Sequence, residues 1–198
     1  MIIDTHCHLA SRQFDQSRRE IYIRHAVEAG IDRMITLGAC MDDWEENLSW
    51  ARQFPGTVFC ALGIHPDDAH GAPEKWAEKL TAAAETVPLA AIGETGLDYF
   101  HPAPKGWETA DFHRRQQELL EEHFELAARL GLNIVLHTRD RKGSRSFEDA
   151  LAIAGNHAGR VRPVFHCFIG DTAQAARIFD GLDGMVSFLS LIHISEPT

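Results

Sequence analysis

Cysteine is scarce and scattered in this 198-residue chain. Cys7, Cys40, Cys60 and Cys167 form no C-x-x-C pair and lie in or beside apolar runs. That pattern suits a reducing cytoplasm, the expected location, better than a disulfide framework. No stretch approaches 18 consecutive apolar residues, so no membrane-spanning helix is expected. The first residues lack a basic flank followed by an apolar segment, so no signal peptide is read. Positive charge is also short: 19 Lys and Arg face 29 Asp and Glu, for a net charge of −10. The bulk surface should repel nucleic acid, and a polyanion would need local basic groups or metal to hold it. Nothing in the chain marks an obligate protein partner.

Hydrophobic residues make up 44% and charged residues 24% of the chain, ordinary for one globular core of this length. Histidine is abundant, at twelve residues. Two of them close the opening run Met1-Ile-Ile-Asp-Thr-His-Cys-His8. On an extended strand, residues i and i+2 share a face, so His6 and His8 project together. Two imidazoles on one strand end supply half of a first-row metal's ligand set. A surface pair of histidines would look the same, and only later strand ends can separate the two readings.

Apolar runs of strand length recur at Met1–Thr5, Arg33–Leu37, Val58–Ile64, Leu89–Gly93, Asn133–His137, Val164–Phe168 and Met185–Leu189. Helical patterns separate them at Ser17–Ala29, Asp42–Phe54, Glu74–Thr86, Asp111–Leu130, Ser146–Ala154 and Asp171–Phe179. Gly30 and Gly131 suit helix ends, and Pro73 suits a helix first turn. Seven strands alternating with six helices predict an α/β fold with a parallel sheet. A doubly wound nucleotide-binding sheet would carry a Gly-rich turn after its first strand. Here that turn is Thr5-His-Cys-His-Leu-Ala10, which favours a (β/α)8 TIM barrel. Such barrels build their sites where the strands end.

Five strand ends carry ligand-type residues: His6 and His8; His65; Glu94; His137; and His166. Even with His65 set aside, four imidazoles and one carboxylate exceed what one catalytic zinc with an open position needs. A two-metal site with Glu94 as the bridge fits better, because two ions about 3.5–4 Å apart can share a water and clamp a phosphoryl group.

The motifs DTHCHL (Asp4–Leu9), GIHP (Gly63–Pro66), GETGLDY (Gly93–Tyr99), HTRD (His137–Asp140) and FHCF (Phe165–Phe168) resemble the TatD-related metal-dependent deoxyribonuclease family. This family belongs to the amidohydrolase-like metal-dependent barrels. The resemblance covers residues 1 to about 188. It implies a TIM barrel with two divalent cations that hydrolyses phosphodiesters in DNA. By position it assigns His6, His8 and Glu94 to one metal, and Glu94, His137 and His166 to the other. His65 matches an active-site histidine near the substrate phosphate. The chemistry of four imidazoles suits Zn²⁺ or Mn²⁺, and the resemblance admits Mg²⁺ as well. An amidohydrolase for amides or esters is the rival enzyme reading. Relatives of that kind often bridge their metals with a carboxylated lysine on the fourth strand, which has no lysine here. Removal of an ester from misacylated tRNA would need the same metals.

Around these residues lie further candidates. Asp4 could orient a histidine or simply finish its strand. Asp98 and Tyr99 are read in a loop after Glu94, divided between substrate contact and loop structure. Arg139 leads the basic stretch Arg139-Asp-Arg-Lys-Gly-Ser-Arg145 and is the expected phosphate contact, with Tyr99 and His65 as further substrate-binding residues. His25, His113, His123 and His157 are read as surface histidines.

A closed barrel needs about 250 residues and eight strands. This chain is read as an incomplete barrel of about seven strands, with the eighth strand and last helices missing. The family's strand-eight aspartate, which binds metal and helps activate water, has no counterpart. The partial barrel domain is placed at residues 1–188. Residues 189–198, LSLIHISEPT, resemble a translated sequencing adapter and are read as a non-native tail. An open sheet keeps unpaired edges on its first and seventh strands. The expectation is an aggregation-prone chain with impaired activity, and an inactive metal-binding fragment is the non-enzyme alternative.

Overall fold

The computed structural model describes residues 1–11 and 15–189. Most of the proposed tail, residues 190–198, lies outside the described residues. Seven strands run β1 (Ile3–Cys7), β2 (Arg33–Gly38), β3 (Val58–Leu62), β4 (Leu89–Tyr99), β5 (Ile134–Asp140), β6 (Pro163–Phe165) and β7 (Met185–Val186). Six helices separate them: α1 (Arg19–Glu28), α2 (Met41–Gln53), α3 (Trp76–Thr86), α4 (Thr109–Leu130), α5 (Arg145–Gly155) and α6 (Thr172–Leu182). The strands pair in parallel in the order β1-β2-β3-β4-β5-β6-β7. Sequential parallel strands joined by helical crossovers keep all helices on one face, because the crossovers share one hand. This is the wall of a (β/α)8 barrel with seven strands in place. Among the described residues no eighth strand closes it, and β1 and β7 each pair on one side only.

Alternation along the strands builds two cores. Leu37, Ala61, Ala91 and Val135 form one row across β2–β5, set by the pairings Leu37↔Ala61 and Ala61↔Ala91. That row is one layer of the barrel interior. Intervening residues such as Leu62, Ile92, Leu97 and Leu136 face the helices and join the main core.

Helix α4 is the principal buttress. Its inner face repeats at three and four residues through Phe112, Gln116, Leu119, Leu120, His123, Phe124 and Ala127, all buried. Burying a side chain such as Phe124 stabilises by roughly 1.5–3 kcal/mol. The helix stops at Gly131, whose φ of 66° gives the left-handed cap at little cost. Gly30 likewise follows α1 at φ 98°. Pro73 lies ahead of α3, where its carbonyl accepts the Trp76 N–H at 3.1 Å.

The largest departure from the sequence reading is β4. The apolar run ends at Gly93, yet the strand continues to Tyr99, paired with β5 through Tyr99↔Asp140. Asp98 and Tyr99 are therefore strand residues, not loop residues. Hydropathy missed this because the extension carries polar side chains into the mouth of the barrel.

Two of the histidines read as surface residues are core. His123 is fully buried, and His157 is only 2% exposed. His123 survives burial because both ring nitrogens are used. Nδ1 donates to the Leu119 carbonyl at 2.7 Å, and Nε2 accepts the Ile64 N–H at 3.2 Å. Trp76 stacks on the ring at 4.0 Å. His157 stacks on Phe124 at 5.0 Å and bonds Glu121 at 2.6 Å. His25 is exposed and His113 half-buried.

Candidate metal centre

Glu94 stands at the centre of the strand ends, buried among five imidazoles. Oε2 lies 3.5 Å from His6 Nε2 and 3.6 Å from His8 Nε2. Oε1 lies 2.7 Å from His166 Nε2, 3.1 Å from His137 Nδ1 and 3.7 Å from His65 Nε2. The two carboxylate oxygens thus divide the rings into a β1 set and a β3–β5–β6 set. The first set is the strand pair, whose Nε2 atoms approach to 3.1 Å. His166 bridges the two sets: its ring stacks on His6 at 4.4 Å, while its Nε2 is 3.3 Å from His137 Nδ1. Ligand atoms within 4.8 Å of one another group as His6, Glu94 and His166, and as His65, Glu94 and His137. His8 falls outside both triads, and its side chain is 39% exposed.

Backbone geometry explains how Glu94 reaches this position. Gly96, two residues on, has φ of 141°, and a Cβ built there would collide with the His137 carbonyl. Only glycine lets β4 and β5 approach this closely at the level of His137.

Partner bonds set which ring nitrogen faces the centre. His8 donates from Nδ1 to the Leu37 carbonyl at 3.3 Å, leaving its Nε2 lone pair toward Glu94. His137 Nε2 meets Asp98 Oδ2 at 3.0 Å, turning Nδ1 inward. His65 has the opposite arrangement. Its Nδ1 accepts the Asp67 N–H at 3.3 Å, so in the neutral ring Nε2 carries the proton that faces Glu94.

Charge follows from the same contacts. Burial works against ionisation of Glu94, but hydrogen bonds from His137, His166 and His6 outweigh it and hold the carboxyl well below its usual range. Burial likewise lowers His137, yet Asp98 and Glu94 on either side raise its pKa to about 9. Burial lowers His65 to about 4, keeping it neutral. Burial is also the main cause lowering His8 and His166.

A donor set of one ionised carboxylate and converging imidazoles, fixed by outer hydrogen bonds, fits divalent cations. Buried His166 Nδ1 has no hydrogen-bond partner among the described residues.

The remaining candidates separate. Asp4 accepts the His6 backbone N–H at 3.0 Å, so it shapes the strand end. Tyr99 points to the helix side: its hydroxyl donates to Asp149 at 2.9 Å, accepts from Gln117 at 2.7 Å, and its ring stacks on His113 at 3.9 Å. Arg139 is exposed at the mouth, over the Phe100 ring. Asp98 is more deeply involved than a loop residue would be. Besides His137 it accepts the Phe100 and His101 N–H groups, each at 2.9 Å, and α4 grips its backbone through Gln116 at 2.9 and 3.1 Å. Asp67, Asp98 and His101 form a further close group on the rim. The signal for Asp98 was its even spacing from Glu94 and Gly96 along one strand.

Comparison with known proteins gives a consistent reading. Residues 3–197 match the family described as TatD related DNase. The chain is 32% identical over 177 residues to the 3'-5' ssDNA/RNA exonuclease TatD of Cronobacter sakazakii (strain ATCC BAA-894), covering 89% of this chain and 62% of that protein. It is 30% identical over 194 residues to the uncharacterized metal-dependent hydrolase YjjV of Escherichia coli (strain K12), covering 94% and 69%. The crystal structure of YjjV, a TatD homolog from Escherichia coli K12, superposes with a TM-score of 0.76 at 28% identity, covering 93% of this chain and 66% of that one. The chain therefore spans about 62% of the length of the Cronobacter TatD exonucleases it matches. Among the described residues no helix is long and apolar enough to cross a membrane.

Proposed function

This chain belongs to the TatD related DNase family, and from that premise we propose that it carries the metal-binding wall of a hydrolase for phosphodiester bonds in DNA or other single-stranded nucleic acid. The observation that supports this reading is the division of the imidazoles by the two oxygens of buried Glu94. His6, His8 and Glu94 would hold one divalent cation, and Glu94, His137 and His166 a second. Mg²⁺, Mn²⁺ or Zn²⁺ bound there would supply Lewis-acid stabilisation of phosphate charge and a water of lowered pKa.

The chain's own groups do the rest. Glu94 holds the two ligand sets in register. Asp98 keeps His137 turned inward, and the Leu37 carbonyl does the same for His8. His65, neutral with its proton on Nε2, offers a donor to a phosphate oxygen at the edge of the centre without adding charge. Arg139, exposed on the mouth over the Phe100 ring, draws the polyanion that the rest of an acidic surface repels.

Calorimetric titration with Mn²⁺ and Zn²⁺ tests the centre. The expectation is two equivalents bound by the chain, and loss of tight binding in Glu94→Gln. A single equivalent, or unchanged binding in the variant, would refute the bridged site. For hydrolysis, the assay adds a chimera carrying the remaining C-terminal part of YjjV. Metal-dependent cleavage of a single-stranded oligodeoxynucleotide that disappears in Glu94→Gln is the expected result. Cleavage that persists in Glu94→Gln would sink the assignment.

A further inference from the structure

Beyond the Asp98–His137 pair the mouth carries a feature that the metal centre does not use. Asp98 pairs with Arg139 in the parallel register of β4 and β5. Alternate strand residues share a face, so Arg139 lies on the face of His137, one step farther out. Phe100, two residues beyond Asp98, takes the matching position where β4 ends. The guanidinium carbon of Arg139 sits 4.1 Å from the Phe100 ring centroid, and that of Arg141 sits 5.7 Å away. Arg141 also donates from Nε to the Phe100 carbonyl at 2.6 Å. One ring thus carries two guanidinium groups.

Neither arginine takes part in an ion pair among the described residues. On the neighbouring helices Arg114, Arg115, Arg145 and Arg177 each face a carboxylate. Two adjacent like charges repel, and a chain with 29 acidic residues has carboxylates to spare for them. Instead the pair rests on an aromatic face, which attracts cations without neutralising them. Both retain donors for an external anion.

We propose that Phe100, Arg139 and Arg141 form a pedestal for a backbone phosphate of single-stranded nucleic acid, flanking the phosphodiester at the Glu94 centre. This rests on the nuclease reading above. Guanidinium groups present parallel N–H donors that match phosphate oxygens. A ring that already holds them reduces the side-chain freedom lost when the anion arrives.

The test is equilibrium binding of a fluorescein-labelled ten-nucleotide oligothymidylate by anisotropy, in EDTA and again with Mn²⁺. Arg139→Gln and Arg141→Gln should each weaken binding about tenfold, as for loss of a charge-assisted hydrogen bond. The double variant should flatten the slope of log Kd against log salt by about 0.7, for the one single-strand phosphate no longer neutralised. Phe100→Ala should weaken binding while Phe100→Trp, which keeps an aromatic face, restores it. Circular dichroism melts confirm that each variant folds. An uncharged methylphosphonate oligomer should bind wild type and the arginine variants equally. Oligothymidylate affinity and salt slope unchanged in the double variant would overturn the pedestal, even with hydrolysis intact. Binding that depends on all three residues supports it whether or not hydrolysis follows, so failure here and failure of the nuclease reading are told apart.

Discussion

Acidification should loosen α4 from the strand ends through one residue, His123. The ring is fully buried, and its nitrogens are committed to the Leu119 carbonyl and the Ile64 N–H. Protonation would place a second N–H against the Ile64 N–H and a charge in an apolar shell. Burial accordingly lowers its pKa to about 4, against about 6.5 in an unfolded chain. The folded state therefore binds fewer protons than the unfolded state between these values. Stability from this group is fully present above about pH 6.5 and declines as pH falls toward 4. The gap between about 6.5 and about 4 corresponds to roughly 3 kcal/mol, and about 2 kcal/mol of it is lost between pH 7.5 and 5.0.

Other histidines titrate in the same window, so the measurement is a difference. Urea unfolding of wild type and His123→Leu is followed at pH 7.5, 6.5, 5.5 and 5.0. At pH 7.5 the variant should be less stable by about 1–3 kcal/mol, because the Ile64 N–H loses its acceptor. At pH 5.0 that gap should shrink by about 2 kcal/mol, since leucine has no proton to gain. A gap that stays constant over the range would refute the assignment of a neutral, doubly bonded imidazole.

Two further outcomes follow from the centre. Gly96→Ala drives a Cβ into the His137 carbonyl at a φ of 141°, and urea unfolding should show a loss of at least about 3 kcal/mol. A variant as stable as wild type would contradict the close approach of β4 and β5. Asp98→Asn keeps an oxygen for the Phe100 and His101 N–H groups but turns an amide toward His137. Calorimetry should show metal affinity reduced about 10–100-fold with the melt unchanged, and undiminished affinity would remove Asp98 from the orienting role.

Where the sequence was legible, a physical regularity was being read. Apolar runs located all seven strands, because a parallel sheet covered by helices buries both faces. The i, i+2 rule brought His6 and His8 together, and strand-end position brought Glu94, His65, His137 and His166 to the same mouth. Failures occur where polarity and burial part company. Strand β4 outruns its apolar stretch, which stops at Gly93, because hydropathy treats Asp98 as surface whereas its carboxylate is buried against His137. A helix position away from the mouth suggests a surface His123, yet positions 116, 119, 120, 123 and 127 mark one inner helix face. Tyr99 looks like a substrate contact only if it lies in a loop after Glu94; as a strand residue it is turned to the helices by alternation. Phe100 had no signal of its own, since its importance lies in what stacks on it from β5.

The outer half of β4 links these observations. From Glu94 onward the even residues face the mouth: Glu94 divides the imidazoles, Gly96 admits β5, Asp98 orients His137, and Phe100 follows as the seat for two arginines. The odd residues face the helices, with Thr95 and Leu97 buried and the Tyr99 hydroxyl tied to α4 and α5. Because strand period is two, a one-residue slip would exchange the sets, placing Leu97 in the centre and Asp98 in the core. Register here is therefore worth far more than any single contact. It is held from behind by α4, through Gln116 on the Asp98 backbone and, one strand over, through His123 on Ile64. Both clamps are buried polar groups on an otherwise apolar helix face. Each would cost stability if left unpaired, so each enforces the register that pairs it. The polar residues that broke the apolar pattern of α4 are thus the ones that set where the metal-facing side chains stand.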